Sequence, residues 1–343
     1  MIENFDLFRP LPFLDTTRQL ARQATGRVGL EAMVWYPDPP TYQFVNMLEE
    51  AAKRQVQAQA KIDYYSLMTT DFHNNLFPMP QLRRERGRKT QEMVQRMRKA
   101  GVSVDLLNPP SLLQRLIPQL GRNHRKIGLI DGVGFVMGFN LSKYNFDCED
   151  IAVALTEPQA VKRLAEVFEE AGLVERDDRE IYCGGNTYLL VDYGRVGQSL
   201  ILDRAVEMVR GARDYVRWVN LFPPNGRLEV EMARASKRGV DVEGIITRPV
   251  WVRKARWDIR LMQLVNSLQS YSLGNQLALG YHNPDIHAKV LVTDNQTLVG
   301  SHNLVWEGVW AGTEELDIFS TNPILERKLN RYYAQLKLGS RAA

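Results

Sequence analysis

The chain has 343 residues, with 44 Lys and Arg against 40 Asp and Glu and a formal net charge of +4. It is long enough for two domains of ordinary size and only mildly basic, so a phosphate-bearing partner of either lipid or nucleic-acid type fits. Its two cysteines, Cys148 and Cys183, have neither metal-ligand spacing nor a disulfide framework. The N-terminal MIENFDLFRPLPFLD lacks an export pattern, and nowhere do eighteen apolar residues run together. A reducing, cytoplasmic setting without a membrane span is therefore expected.

The first predicted unit is EAMVWYPDPPTYQFVNMLEEAAKRQVQAQAKI. An apolar strand ends in a Pro-containing loop, a helix ends at Lys53-Arg54, and a second strand follows. That is a βαβ unit, which implies parallel strands. His73, in the polar loop TTDFHNNLF, reads as a surface residue. Residues 82–101, LRRERGRKTQEMVQRMRKAG, are helix-like after Gly87 and carry eight Lys and Arg against Glu85 and Glu92. A basic helix of this kind either meets anionic headgroups or is a solvated face.

The next segment carries chemistry. His124 is followed two residues later by Lys126, seven later by Asp131 and sixteen later by Asn140. His and Lys stand at the start of the apolar run KIGLIDG, and if this is a strand, residues two apart share a face. A second apolar run, GFVMGFN, brings Gly138 and Asn140 beside them. Downstream lie Asp150 in CEDIAV, a helix-like PQAVKRLAEVFEEAG, a predicted strand at Tyr188–Asp192 and a helix-like LILDRAVEMVRGARD. A domain boundary is expected near Arg195, giving domains 1–195 and 196–343.

The second half repeats the first. YVRWVNLFPPNGRLEVEMARASKRGVDVEGII is again strand, Pro loop, helix ending at Lys237-Arg238, and strand. RPVWVRKARWDIRLMQLV then alternates Trp251 and Trp257 with Arg253, Lys254 and Arg256, text that suits a membrane interface, a nucleic-acid groove or simple packing. His287, Lys289, Asp294 and Asn303 follow at the same offsets as in the first copy, with Ser301 at the position of Gly138. Internal repetition outweighs other fold evidence and predicts two similar α/β domains. Each copy offers an imidazole, an ammonium and an amide, a set suited to an oxygen-rich anion, phosphate above all. His282, just before the second motif, is placed at the pocket entrance, and His302, out of phase with Ser301 and Asn303, faces away. No HxH, CxxC or HExxH text supports a metal, and no cofactor is expected.

The doubled pattern resembles the HxKxxxxD signature of the phospholipase D superfamily with its downstream GG/GS-x-N element, and is most similar to the two-motif, cardiolipin synthase-like bacterial branch. The second copy matches without gaps; in the first, Met137 and Gly138 stand where Gly and Ser are usual. The resemblance implies two α/β/α sandwich domains in pseudo-twofold arrangement, with the active site at their interface. It implies that one imidazole attacks phosphorus and the other serves as acid and base, with His124 as nucleophile and His287 as acid/base, the reverse being nearly as credible. Lys126, Lys289, Asn140, Asn303 and Ser301 would hold phosphate oxygens. An acid downstream of each Asn would orient a His: Asp150 in the first copy, Glu315 in the second, with Glu314 a close competitor. Asp131 and Asp294, at the far ends of the apolar runs, read as structural turn or capping residues.

The expected function is phosphatidyl transfer or hydrolysis on a phospholipid. A metal-independent nuclease acting on DNA or RNA is the alternative, and a lipid-binding relic a third. Peripheral contact with the inner membrane face goes with the first, and no obligate protein partner is expected.

Overall fold

In a computed structural model, which describes residues 2–68, 80–112, 114, 120–172, 176–247 and 277–342, both βαβ units form. Strand β2 (Arg27–Ala32) leads to a helix at Pro39–Lys53 and on to β3 (Gln57–Asp63), which lies parallel to β2. The helix starts where it does because Pro occupies its first turn and the Asp38 side chain accepts the Thr41 N–H. In the second half β10 (Tyr215–Asn220), a helix at Arg227–Lys237 and a parallel β11 (Asp241–Thr247) repeat the arrangement.

The remaining strands of the first sheet are β1 (Leu7–Phe8), β4 (Ser103–Leu107), β5 (Ile127–Ile130), β6 (Val133–Met137) and β7 (Ala152–Leu155), in the order β1-β7-β6-β5-β2-β3-β4. The second sheet adds β8 (Arg179–Gly184), β9 (Thr187–Tyr193), β12 (Ala278–His282), β13 (Val290–Thr293), β14 (Gln296–Gly300), β15 (Glu314–Ser320) and β16 (Arg341–Ala342). Its order, β16-β12-β11-β10-β13-β14-β15-β9-β8, contains the first sheet's β7-β6-β5-β2-β3-β4 strand for strand. The inner faces share one core with the helices Pro158–Glu169 and Pro323–Leu338: Leu129, Val153, Leu164, Val219, Val290 and Leu329 all belong to it. Further helices cover the outer faces. The result is two α/β/α layers back to back, with equivalent strands disposed as a pseudo-twofold pair.

The hairpin β8–β9 precedes the boundary expected near Arg195, and β9 pairs with β15 along its length, from Thr187 against Ser320 to Tyr193 against Glu314, so this hairpin belongs to the second sheet. A strand's partner is not written in its own turn residues, and the Gly-bearing turn at Gly194 marked only a bend.

The basic segment is a helix from Pro80 to Lys99. Met93, Val94 and Met97 are buried in the first core, Arg96 reaches Glu49 at 2.7 Å and Arg98 donates to the Val104 carbonyl at 2.9 Å. Part of its charge is thus spent on the fold rather than displayed. His73 and the Trp251–Trp257 segment lie outside the described residues. Among the described residues no helix is long and apolar enough to cross a membrane.

Candidate active site

Both His-Lys segments run in extended connections just ahead of β5 and β13, whose regular ladders start at Ile127 and Val290. Each is tied to the opposite half of the molecule. The His124 N–H donates to the Glu314 carbonyl at 2.8 Å, and the His287 N–H donates to the Glu149 carbonyl at 2.9 Å. These bonds set the residue after each carbonyl beside the other half's imidazole. His124 Nδ1 lies 2.9 Å from Glu315 Oε1 and Oε2, and His287 Nδ1 lies 2.6 Å from Asp150 Oδ2. The acids are therefore exchanged between copies: the first half's Asp150 serves His287 and the second half's Glu315 serves His124. Glu314 points elsewhere, its Oε1 accepting from Asn108 at 3.3 Å, as alternation along a strand requires.

The two imidazoles open on one cleft of about 380 Å³. Asn140 and Asn303 line it with them, and Met33, Val34, Tyr36, Leu221, Phe222 and Val305 form apolar walls. Asn140 Oδ1 accepts the Val34 N–H at 3.2 Å, which leaves its NH2 end for a ligand. The Asn303 carbonyl accepts from Asn220 Nδ2, and Asn303 Oδ1 has no partner.

Three placements differ from expectation. Ser301 does not face the cleft: its hydroxyl donates to Glu315 Oε2 at 2.5 Å and accepts the Leu316 N–H at 2.9 Å, so its hydrogen is spent on the acid rather than on a phosphate oxygen. Lys126 and Lys289 sit behind the imidazoles, 0% and 1% exposed, each bonded to the carbonyl of its own His. His282 is buried and pairs through Nδ1 with the Pro284 carbonyl at 3.0 Å; it is not among the described residues that line the cleft. His302 turns inward, its Nδ1 accepting the Leu304 N–H at 2.9 Å. Asp131 and Asp294 lie at the far ends of β5 and β13 and do one job twice: Asp131 accepts the N–H groups of Thr25, Gly26 and Arg27, and Asp294 those of Arg213, Asp214 and Tyr215. Burial opposes ionisation of both, but these donors outweigh it and hold both carboxyls below their ordinary range.

With this geometry in view, residues 205–337 match the family described as "Cardiolipin synthase, PLD-like domain". The second half is a phospholipase D-like domain. The first half repeats its strand order and its His-Lys motif, so the chain has the two-domain fold of that superfamily. Among solved structures it is similar to the phosphatidylserine synthase of Haemophilus influenzae Rd KW20, with 12% identity and a TM-score of 0.78 over 100% of this chain and 88% of that one. It is also similar to the polyphosphate kinase of Porphyromonas gingivalis, with 15% identity and a TM-score of 0.57 over 95% of this chain and 49% of that one. No curated protein matches the chain in sequence. The phospholipase D-like domain makes the protein an enzyme of phosphodiester chemistry, cleavage or transfer in the general sense.

The electrostatics of the site follow from burial. Desolvation pushes His124 down to about 4 and His287 to about 3, with the nearby lysines adding to the effect against the pull of the carboxylates. Both imidazoles are therefore neutral near pH 7, and a carboxylate at Nδ1 selects the tautomer with its proton on that nitrogen; Lys289 Nζ also stands 2.8 Å from His287 Nδ1 and 3.4 Å from its Nε2. Desolvation likewise lowers Lys126 to about 7 and Lys289 to about 8. Glu315 stays ionised: burial resists, but the charges and hydrogen bond around it bring it to about 2.

Residues not anticipated from the sequence complete the site. Thr313 donates to Glu315 Oε1 at 3.2 Å. Beneath His124 a buried polar lattice holds the connection: Arg125 Nε to Glu31 at 2.9 Å, Asn123 Nδ2 to Glu31 at 2.7 Å, and the Asn123 N–H to Asp63 at 2.8 Å. The only signal for it was the polar run RNHRK standing between apolar segments.

Proposed function

We propose that the protein cleaves or transfers phospholipid phosphodiesters through a phosphohistidine. The observation that carries this is the pair of imidazoles, each with Nδ1 held by a carboxylate from the opposite half, on a single cleft with apolar walls. Nε2 of one His attacks phosphorus; the other takes up a proton on Nε2 when the anionic phosphodiester binds, as an imidazolium balanced by its own carboxylate, and gives that proton to the departing alkoxide. That second imidazole then accepts a proton from water or an alcohol, whose oxygen displaces the histidine. His124 is assigned the attack and His287 the proton transfers. Asn140 and Asn303 face the non-bridging oxygens, and the lysines supply positive charge from behind.

A lipid is favoured over a nucleic acid because no Lys or Arg is among the described residues lining the cleft, whereas nucleic-acid grooves are lined with cations. The fold-level likeness to a phosphatidylserine synthase supports the same reading, and the polyphosphate kinase shows that the fold alone does not choose the substrate. The test is turnover in EDTA of vesicles containing phosphatidylglycerol and phosphatidylethanolamine, with products identified by mass. Cardiolipin or an exchanged headgroup, absent in His124→Ala and His287→Ala, is the expected result for transfer, and phosphatidic acid alone for hydrolysis. Absence of any lipid product, with the same preparation nicking single-stranded DNA, would replace the lipid with a nucleic acid.

A further inference from the structure

The short helix Trp306–Ala311 follows the second motif and has two faces. Glu307, Gly308 and Ala311 line the cleft, and Val309 is buried in the outer core. Trp306 and Trp310, one turn apart, point outward, 38% and 58% exposed. Val196, 69% exposed, lies beside them, because Gly197 N–H donates to the Val309 carbonyl at 3.1 Å and packs its loop against the helix end. The guanidinium of Arg227 stands 6.0 Å over the Trp306 ring. Two indoles and a branched aliphatic side chain thus sit in water on the element that forms one wall of the cleft.

We infer that Trp306, Trp310 and Val196 are the surface by which this protein docks on a lipid bilayer, placing the cleft against the headgroup layer. This rests on the reading of the substrate as a phospholipid. Continuity selects a bilayer as the occupant: a lipid enters the cleft from its leaflet, so the leaflet must touch the cleft rim, and the rim is where the indoles are. Trp is suited to that depth, with an apolar ring and one N–H donor; Arg227, stacked on Trp306, is ion-paired with Asp203 and adds no free charge. The basic helix Pro80–Lys99 is the weaker candidate, since it spends Arg96 and Arg98 on intramolecular partners.

The experiment compares the full chain with Trp306→Ala/Trp310→Ala, with Trp310→Ala alone, and with Leu112→Ala, which removes an 82% exposed side chain elsewhere. Sedimentation with phosphatidylglycerol/phosphatidylethanolamine vesicles is measured beside turnover of the same vesicles and of short-chain phosphatidylglycerol below its micellar concentration. The double variant is expected to lose about tenfold or more in vesicle binding, the single variant less, and Leu112→Ala nothing. Vesicle turnover should fall with binding while turnover of the dispersed lipid stays unchanged.

Unchanged sedimentation of the double variant overturns the inference, as does a wild-type protein that does not bind vesicles. Equal losses on vesicle and dispersed lipid, or Trp-dependent self-association without lipid, also overturn it. If no lipid is turned over in either form while vesicle binding still falls in the double variant, the docking surface stands and the lipid-substrate reading fails.

Discussion

The two histidine cradles follow the same backbone path but are built from opposite chemistry. Around His124 the flanking residues are Arg122, Asn123 and Arg125, fully or almost fully buried, facing Glu31 on β2 and Asp63 at the end of β3. At the equivalent places around His287 stand Asp285, Ile286 and Ala288, with Val219 in place of Glu31 and Thr247 in place of Asp63. Thr247 Oγ1 still accepts the Ile286 N–H at 2.8 Å, as Asp63 accepts that of Asn123. The backbone bond is common to both copies, and what fills the space beneath is not. Buried ion pairs and apolar packing are thus alternative ways of holding one geometry, and they fail differently when cut.

The acids differ as well. A Cβ on Gly138 would meet Asp150 Oδ1 at 2.1 Å, so the short acid of the first half needs a glycine beside it. The longer Glu315 is accompanied by Ser301 and Thr313, both donating to it.

The largest effect is expected where the copies divide labour. His124→Ala and His287→Ala should each cost about 10³-fold or more in turnover. Rapid-quench single-turnover assays should find a covalent phosphoenzyme in His287→Ala and none in His124→Ala; the opposite pattern would exchange their roles.

Next comes the cradle. Glu31→Ala leaves Arg125 buried without its acid and should destabilise the fold by about 3–5 kcal/mol, whereas Glu31→Val with Asn123→Ile and Arg125→Ala removes every partner of that carboxylate and should cost much less. Denaturant unfolding of both variants checks this, and a triple variant as unstable as the single one would show that the cradles are not interchangeable.

The exchanged acids should come third. Asp150→Asn and Glu315→Gln are each expected to lower kcat by about 10–100-fold, by analogy with groups that orient ligating imidazoles. Nitrogen-15 imidazole spectra should register Asp150→Asn at His287 and Glu315→Gln at His124; a change at the His of the same copy would refute the crossed wiring.

The smallest difference is between the lysines. Lys126, lowered to about 7, and Lys289, lowered to about 8, lose their protons as pH rises, and with them the charge offered to the phosphorane. The pH profile of kcat/KM should therefore fall on its alkaline side from about 7 upward, in two steps, and a flat profile to pH 10 would remove the lysines from that role.

Much of this was legible in the linear text because it is local or repeated. The offsets from His to Lys to Asn survive as a doubled pattern, and the βαβ units announce themselves by apolar runs, Pro loops and Lys-Arg helix ends. Asp131 and Asp294 could be set apart as turn residues because each follows its strand by chain position alone. The tertiary structure decided what depends on partners distant in the chain: that β9 belongs with β15, that Glu315 rather than Glu314 meets an imidazole, that the acids cross between halves, that Ser301 is bound to Glu315, and that the lysines stand behind the histidines. A sequence records which groups are present and at what spacing, whereas the partner of a buried proton or strand edge is fixed by how segments pack, which spacing along the chain does not state.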